Sequence, residues 1–269
     1  MNSALRLLAI FPHPDDESLG LGGTLAKYSA EGVETYLICA TRGERGWTGS
    51  PEENPGLEEL GKIREMELKC AVAHLGLKET TILGYIDGDV DKANPVEIIA
   101  KIIHQIRRIQ PHVVITFALD GAYGHPDHIA LSQFTSAALV RSADSNFIDL
   151  ENFQPYLVPK YYHMIDSKKM VDKLQAMIGG LSMDVDGVTR SHFGWEEWAI
   201  TTRINAEEYF DTLWNAIQCH QSQLSGFIGF LDLPTSNHKL LFSEGTFIRI
   251  YSFVNGGRKI ETDLFEGLR

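Results

Sequence analysis

The chain has 269 residues, 43% of them hydrophobic and 22% charged, which is enough to bury a large core as one domain. Its 36 Asp and Glu against 24 Lys and Arg give a net charge of −12. This acidic balance argues against nucleic acid as a partner, because phosphate binding needs clustered basic side chains. No stretch approaches the roughly 18 consecutive apolar residues of a membrane helix, so we expect no membrane insertion.

The N-terminal segment MNSALRLLAIFPHP has too short an apolar part for a signal peptide and lacks a small-residue cleavage site. The three cysteines, Cys39, Cys70 and Cys219, have no CxxC spacing and are odd in number. We therefore expect reduced, mostly buried thiols and a cytoplasmic location.

Strand-like and helix-like segments alternate in the first half of the chain. Residues 5–11 (LRLLAIF) form a continuous apolar run, which is typical of a strand buried on both faces of a parallel sheet. Further strands are predicted at residues 33–43, 80–89 and 112–117, and helices at residues 19–32, 57–77 and 95–110. In the second of these helices we expect one buried stripe, made of Ile63, Met66, Cys70, Ala73 and Leu77.

This alternation predicts an α/β fold with a mainly parallel sheet and right-handed crossovers. In such sheets, ligands bind beyond the carboxyl ends of the strands. A polar cluster follows each predicted strand at that end, in the order HPDDE, RGERG, DGD and GHPDH. The sequence therefore predicts the functional site at this edge of the sheet.

The second half of the chain is less regular. Strands are predicted at residues 156–165, 197–205 and 245–254, and an amphipathic helix at residues 206–223. No Gly/Ser linker, internal repeat or low-complexity tract divides the chain. We expect a single domain over residues 1–269, in which residues 1–145 form the core with the metal motifs and residues 146–269 complete the substrate pocket.

Two short motifs carry residues suited to binding a metal. HPDD places His13 and Asp16 three residues apart, and HPDH places His125 and His128 three residues apart. A hydrolytic zinc site needs three nitrogen or oxygen ligands and one position open to water. Two histidines and one aspartate meet that need, and the remaining Asp15 has the character of a general base beside zinc-bound water. The histidine that is not a ligand would be an acid or an oxyanion donor.

PHPDDE and GHPDH together resemble the motifs of the PIG-L/LmbE-type zinc-dependent N-acetylglucosaminyl de-N-acetylase family. The resemblance runs from about residue 5 to residue 131, through TRGE (41–44), and is found again in HQSQ (220–223) and ETDLFEGL (261–268). It implies a Rossmann-like three-layer fold. It also implies metal-dependent removal of the acetyl group from an N-acetylglucosamine-type substrate, which gives free amine and acetate. Related enzymes often form oligomers, so the resemblance leaves a homo-oligomer open, and the sequence itself does not indicate the assembly.

The resemblance also implies roles for individual residues. The metal site would consist of His13, Asp16 and His128, and such a site holds Zn²⁺ and also accepts Fe²⁺. Asp15 would be the general base. His125 would protonate the leaving amine or steady the tetrahedral intermediate. Tyr123 would reach the developing oxyanion, and Asp127 would orient His125 or tune it electrostatically. Substrate contacts are implied for Arg64, Asp87, Glu44 and His220.

Three alternatives stay open. An amidase that cleaves thiol conjugates would use the same centre on a larger amide. A phosphohydrolase would need further acids to hold a pair of Mg²⁺ or Mn²⁺ ions. A non-catalytic sugar-binding protein would be expected to lack Asp15 or a ligand, and this chain has them all.

A nucleotide cofactor is not expected, because LGLGGT (19–24) lacks GxGxxG spacing directly after the strand. Glu17 is expected to be structural, at a helix N-terminus.

Overall fold

A seven-stranded sheet lies at the centre of the computed structural model, which describes residues 4–149, 151–179, 182–185 and 187–269. The strands of this sheet are β1 (Arg6–Phe11), β2 (Glu34–Thr41), β3 (Glu79–Tyr85), β4 (Val113–Phe117), β5 (Lys160–Ile165), β8 (Thr202–Asn205) and β9 (Glu244–Ser252). Two further strands, β6 (Ser182–Val185) and β7 (Val188–Ser191), pair as a separate hairpin.

Helices connect these strands. They are α1 (Asp16–Leu19), α2 (Gly22–Ala30), α3 (Leu57–Leu75), α4 (Pro95–Ile109), α5 (Gly121–Gly124), α6 (Pro126–Ser142), α7 (Lys168–Ile178), α8 (Phe210–Cys219), α9 (Ile228–Leu231) and α10 (Thr235–Phe242). Among the residues described, none of the helices combines the length and the apolar character that a membrane span needs.

The order of the strands in the sheet is β3-β2-β1-β4-β5-β9-β8. The first five of these strands pair in parallel, whereas β9 runs antiparallel to both β5 and β8. The predicted α/β fold with a mainly parallel sheet is therefore confirmed. The strand order reverses between β1 and β4, so the carboxyl ends of these two strands border the crevice in which α/β proteins bind ligands.

Both faces of the sheet are covered by helices, which explains the continuous apolar run in β1. Leu7 packs on one face in the same cluster as Leu25 of α2. Leu8 and Ile10 pack on the opposite face with Ile102 of α4. All of these side chains are fully buried, and removal of apolar surface from water on both sides is the main stabilising contribution to such a layer. The result is the three-layer, Rossmann-like arrangement that the resemblance implies.

Helix α3 turns a different face inward from the one that its apolar residues predict. Met66 is 64% exposed and Cys70 is also exposed. Hydrophobic periodicity assigns charged side chains to solvent, but Arg64 and Glu67 have polar partners inside the protein, namely backbone carbonyls and Ser222. The predicted stripe was therefore wrong, and the buried residues of the helix are Leu60, Gly61, Arg64, Glu67, Leu68, Ala71 and Leu75.

Cys70 and Cys219 form a disulfide that joins α3 to the last residue of α8. Cys39 is the free cysteine and is buried in β2. The expectation of reduced thiols was therefore wrong for Cys70 and Cys219. The partners are 149 residues apart, and it is the packing of α3 against α8 that brings their Cα atoms within 5.8 Å, a separation that a disulfide can span. No spacing in the sequence indicates the bond.

The second half of the chain adds β5, β9 and β8 to the same sheet. The predicted segments at 156–165, 206–223 and 245–254 are found with shorter bounds, as β5, α8 and β9. The strand predicted at 197–205 is limited to β8, because a turn of 3-10 helix at Glu197–Ala199 occupies its first part. The helix predicted at 19–32 is limited to α2, and its first residue, Leu19, is the last residue of the short helix α1.

Glu261 attaches the C-terminal segment to the sheet. Its carboxylate lies 2.8 Å from Lys160 Nζ and 2.9 Å from Arg249 Nη1, and it accepts hydrogen bonds from the hydroxyls of Tyr162 and Thr202. Lys160 is fully buried and Glu261 is 2% exposed. Because a buried charge is stable only when it is paired and hydrogen-bonded, this network holds ETDLFEGL against the amino end of β5.

Candidate metal centre and active site

The loop between β1 and α1 presents the first motif. The backbone N–H of His13 donates to Asp16 Oδ2 (2.9 Å), and the backbone N–H of Asp15 donates to Glu17 (3.0 Å). Asp15 has a φ of 102°, on the positive side that Asp and Asn enter more readily than most residues. This turn directs the neighbouring carboxylates of Asp15 and Asp16 to different partners.

Three side chains from two strand ends converge on one point. The Nδ1 atom of His13 lies 3.2 Å from Nε2 of His128 and 3.6 Å from Oδ2 of Asp16, and His128 Nε2 lies 3.7 Å from Asp16 Oδ1. Ligand atoms around a tetrahedral Zn²⁺ with bonds of about 2.0–2.2 Å lie roughly 3.4 Å apart. The donor types and their spacing therefore fit a zinc ion at this point.

The charges around this point are unbalanced without a cation. Burial raises the pKa of Asp16 to about 8, and Asp15 adds to the rise although His13 opposes it. Burial alone would lower the pKa of His13, but Asp87, Asp127 and Asp16 raise it to about 10. Carboxylates gathered around one imidazole are stabilised by a divalent cation among them.

Two carboxylates orient the ring of His13. Its Nε2 atom lies 3.1 Å from Asp87 and 3.1 Å from Asp127, an arrangement that is typical of a metal-binding histidine. Asp127 is fully buried and also accepts two backbone N–H groups of the loop after β3. The resemblance assigns Asp127 to the orientation of His125. In the structure, the Asp127 carboxylate contacts His13, and its backbone N–H donates to Nδ1 of His125. The role of Asp127 in orienting His125 stays a prediction.

Asp15 lies beside the convergence point and has a different partner. Its Oδ2 atom is 3.2 Å from Arg64 Nη2, and the same guanidinium donates to the carbonyls of Gly43 (3.0 Å) and Pro14 (2.5 Å). Burial raises the pKa of Asp15, and the positive charge of Arg64 opposes the rise. Arg64 is 3% exposed. The sequence analysis predicts Arg64 as a substrate contact, and these hydrogen bonds show that it also holds the Asp15 loop in place.

Glu44 and Asp87 link the loops that follow β2 and β3. Glu44 accepts hydrogen bonds from Arg42 Nε (3.1 Å) and from the backbone N–H of Asp87 (3.2 Å), while Asp87 accepts from the backbone N–H of Arg45 (3.1 Å). Glu44 is 3% exposed and Asp87 is 7% exposed. The structure thus brings both residues to the edge of the site and gives each an internal partner, and their contact with substrate stays a prediction.

His220 approaches from the end of α8. Its Nε2 atom lies 2.9 Å from Glu17, and although burial opposes protonation, the Glu17 carboxylate raises the pKa of His220. Asp15 and His220 line the same narrow cavity. Glu17 is fully buried and joins His220 to the backbone of Asp15. The position of Glu17 at the start of a helix predicts only a favourable interaction with the helix dipole. The sequence analysis therefore missed its link to His220.

The turn α5 carries Tyr123 and leads into His125. The ring of His125 lies 4.7 Å from that of His128 and 4.8 Å from that of His13, and the Tyr123 ring lies 5.3 Å from that of His128, measured between centroids. Nδ1 of His125 accepts a backbone N–H of α6 (3.1 Å), which leaves the proton of the neutral ring on Nε2. Ala122 has φ 65° and ψ −63°, a strained conformation of the kind that concentrates at functional sites.

A segment that sequence reasoning missed lies against this turn. Trp195 Nε1 donates to Asp120 (2.9 Å). His192 lies next to Tyr123, with ring centroids 6.1 Å apart, and its Nε2 atom is 2.5 Å from Asp166. These residues follow β7 in the second half of the chain and belong to no recognisable motif, so only the fold places them at the site.

Three features together define a metal-dependent hydrolase. They are the crevice at the carboxyl ends of β1 and β4, the convergent His–Asp–His donors, and the adjacent carboxylate outside that donor set. Comparisons with known proteins agree with this class. Residues 8–139 match the family model described as PIG-L: GlcNAc-PI de-N-acetylase. A 1D-myo-inositol 2-acetamido-2-deoxy-alpha-D-glucopyranoside deacetylase from Rhodococcus opacus is 31% identical over 83% of this chain and 83% of its own length. The chain belongs to the PIG-L family.

Two further comparisons extend over nearly the whole chain. A mycothiol S-conjugate amidase from Streptomyces coelicolor is 27% identical over 100% of this chain and 99% of its own length. The crystal structure of the conserved protein TT1542 from Thermus thermophilus matches with a TM-score of 0.66 at 26% identity, and the match covers 94% of this chain and 97% of that one. The resemblance in PHPDDE and GHPDH is thereby confirmed, and the chain is an amide-hydrolysing enzyme.

Proposed function

We propose that this enzyme is a zinc-dependent deacetylase that hydrolyses the acetamide of an N-acetylglucosamine-type amino sugar to the free amine and acetate. The observation that carries the proposal is the convergence of His13, Asp16 and His128, with the Asp15 carboxylate next to them and outside the donor set. The printed name of the Rhodococcus opacus relative, a deacetylase of an inositol-linked acetamido sugar, supports the substrate class.

In this proposal His13, Asp16 and His128 hold the metal. When bound there, Zn²⁺ supplies Lewis-acid polarisation of a carbonyl and makes water more acidic, and Fe²⁺ suits the same nitrogen and oxygen donors. Asp87 and Asp127 keep the His13 ring in position through its second nitrogen. This support matters because the direction of the imidazole decides whether the three donors converge.

Asp15 acts as the general base that takes the proton from the attacking water. Arg64 keeps the Asp15 carboxylate in place, and burial moves the pKa of Asp15 upward, toward the range in which a carboxylate accepts and returns protons efficiently. The buried Glu17–His220 pair supports the same loop from the other side.

His125 donates the proton that the leaving amine needs, from Nε2, since Nδ1 is occupied by a backbone N–H. Tyr123 lies close to both histidines of the second motif, and its hydroxyl serves as a donor to the oxyanion. Burial raises the pKa of Tyr123, so the phenol keeps its proton and remains a donor. We further propose that Arg64, Asp87, Glu44 and His220 line the sugar site and contact its hydroxyls.

An amidase acting on thiol conjugates is the second candidate, because the Streptomyces coelicolor relative with that printed name matches over the full chain. A phosphohydrolase with paired metals has less support: within the described residues, the metal-capable groups at the strand ends all share His13. One ion at a time is the simplest occupancy of such overlapping groups.

We also propose that residues 1–269 act as one deacetylase domain, in which the second half completes the substrate pocket. Cytoplasmic location and homo-oligomerisation stay predictions from the sequence and the resemblance. The Cys70–Cys219 disulfide is an observation against the cytoplasmic prediction, since disulfides persist mainly in oxidising compartments.

The test is an assay for freed primary amine with zinc-loaded enzyme. The panel holds N-acetylglucosamine, its inositol and malate glycosides, diacetylchitobiose and a thiol-conjugate amide, each run beside the Asp15→Asn variant. We expect amine release from at least one amino sugar, abolished by the substitution. Release from the thiol conjugate alone would favour the amidase, and release from none, with metal bound, would overturn the proposal.

A further inference from the structure

Three side chains suited to binding a metal lie where α3 packs against α8. They are Cys70 and His74 of α3 and Cys219, the last residue of α8. One sulfur or nitrogen atom from each of them lies within 4.8 Å of the corresponding atoms of the other two. The proposed mechanism uses none of the three.

The backbone holds these donors at the spacing that a metal ion needs. Cys70 and His74 are one helical turn apart, so their side chains extend from the same face of α3. The Cα atoms of Cys70 and Cys219 are 5.8 Å apart. Two thiolates bound at about 2.3 Å to one tetrahedral Zn²⁺ lie roughly 3.8 Å from each other. Cysteines at this backbone separation reach that distance through side-chain rotation alone.

His74 is in a suitable state to act as the third ligand. It is exposed, and in the described part of the chain no hydrogen bond or ion pair engages its imidazole. The basic residue that precedes Cys70, Lys69, forms an ion pair with Glu65 (2.7 Å), so a cation at the site meets little repulsion from it. Because Cys70 is also exposed, water has access to a fourth position on the ion.

We propose that Cys70, His74 and Cys219 form a second metal site, for Zn²⁺, when their disulfide is reduced. A dithiol reductant supplies two electrons and two protons: the sulfur–sulfur bond breaks, two thiols form, and the reductant closes its own disulfide. Zn²⁺ then displaces the two thiol protons, because the thiolate is the ligand. Two thiolates and one imidazole are a donor set typical of zinc, whereas Mg²⁺ and Ca²⁺ prefer oxygen.

The ion keeps α3 joined to α8 in a reducing compartment, where a disulfide does not persist. This junction is close to the active site along both helices. Arg64 of α3 holds the Asp15 loop, and His220, the residue after Cys219, pairs with Glu17. The inference is independent of the proposed function, because none of the residues of the proposed catalytic centre is a ligand of this second ion.

A cobalt titration tests the site, because thiolate ligands give Co²⁺ an intense charge-transfer band in the near ultraviolet that histidine and carboxylate ligands do not give. Metal-free protein is reduced with a phosphine, kept without oxygen and titrated with Co²⁺. We expect two ions per chain, one of which produces the band. The disulfide-bonded protein should bind one ion, without the band.

Three variants of the reduced protein assign the ligands. His74→Gln should weaken binding of the band-producing ion by more than about tenfold, since loss of even an outer-shell partner has an effect of that size. His104→Gln is the matched control: His104 lies on α4 and pairs with Asp149, so both ions should still bind. His13→Ala should lose the other ion and keep the band. In its disulfide-bonded form, His13→Ala should bind neither ion, which separates this site from the proposed catalytic centre.

Several results would overturn the proposal. One is a reduced, folded protein that gives no band, or gives it only at a large excess of Co²⁺. Another is unchanged affinity and band strength in His74→Gln, which would exclude the histidine from the site. Thermal unfolding provides a second measurement: in reduced His13→Ala, Zn²⁺ should raise the midpoint, because it binds only the folded chain. A midpoint that Zn²⁺ leaves unchanged, or a chain that unfolds on reduction even with Zn²⁺ present, would equally contradict the site.

Discussion

Arg64 Nη2 lies 3.2 Å from the Asp15 carboxylate and 2.5 Å from the Pro14 carbonyl oxygen. One guanidinium on α3 therefore fixes both the backbone and the side chain of the loop that carries the proposed base. The arrangement explains why a charged residue of α3 faces inward. It also means that the position of the base depends on a helix that contributes no ligand to the metal.

Asp15→Asn is expected to lower kcat by about 10²- to 10⁴-fold, because the amide cannot accept the proton from water. Asn has the same shape and also enters conformations with positive φ. Metal content by elemental analysis and the thermal midpoint should stay close to those of the unsubstituted enzyme. Unchanged kcat would remove Asp15 from the role of base.

Arg64→Lys is expected to lower kcat/KM by at least about tenfold, since an ammonium group cannot bridge Gly43, Pro14 and Asp15 as a planar guanidinium does. Arg141→Lys, an exposed arginine of α6, is the matched control and should have no effect. Steady-state kinetics on the best substrate of the panel decides the matter, and equal behaviour of the two variants would contradict the proposed positioning role.

Metal removal by a strong chelator is expected to abolish activity and to lower the thermal midpoint, because an ion that binds only the folded state stabilises it. Addition of Zn²⁺ should restore both. His13→Ala should fail to retain stoichiometric metal, in contrast to Asp15→Asn, which separates ligand from base. Full activity in protein shown by elemental analysis to be metal-free would refute the metal centre.

A thiol titration in denaturant tests the disulfide. We expect one reactive thiol per chain before reduction, from Cys39, and three after it. Cys70→Ser should lower the free energy of unfolding by about 2–4 kcal/mol, the usual range for a cross-link that closes a long loop. Three reactive thiols in protein purified without reductant would restore the expectation drawn from the sequence.

His163 provides a prediction for pH dependence away from the metal. Burial lowers its pKa from 6.5 to about 4, so the unfolded chain binds a proton at this residue more readily than the folded chain does. Its contribution to stability is therefore complete above about pH 6.5 and is lost as the pH falls toward 4, by about 3 kcal/mol.

His163→Phe should flatten this part of the curve of unfolding free energy against pH, since the Tyr161 hydroxyl, which contacts His163, keeps a second partner in Ser136. His74→Gln, which alters an exposed histidine, should leave the curve unchanged. Urea denaturation at a series of pH values measures both variants. Parallel curves for His163→Phe and the unsubstituted enzyme would contradict the shifted pKa.

Local pattern was sufficient to predict the sheet and to place the proposed metal donors at strand ends. The apolar run of β1 and the spacing within HPDD and HPDH depend on neighbours in the sequence, so His13, Asp16 and His128 could be placed at strand ends before the fold was known. The convergence of their ligand atoms follows from the parallel pairing of β1 with β4.

Contacts between distant segments were not predictable in this way. The inward face of α3 depends on polar partners from other loops, which no periodicity within the helix contains. Glu17 is buried because α8 delivers His220 from 203 positions away, and Asp127 faces His13 because the loop after β3 donates to it. Such pairings exist only in the folded chain.

The Lys160–Glu261 ion pair has a consequence for biosynthesis. Lys160 belongs to the fifth strand of the parallel part of the sheet, whereas its counter-charge lies 101 residues later in the chain and leaves the ribosome after it. Until then a fully buried ammonium group would have no partner, so the nascent chain cannot close β5 into the interior at low energetic cost. The N-terminal strands and both metal motifs thus emerge first and wait, partly assembled, until Glu261 has been synthesised. A chaperone that shields this intermediate would raise the yield of active enzyme.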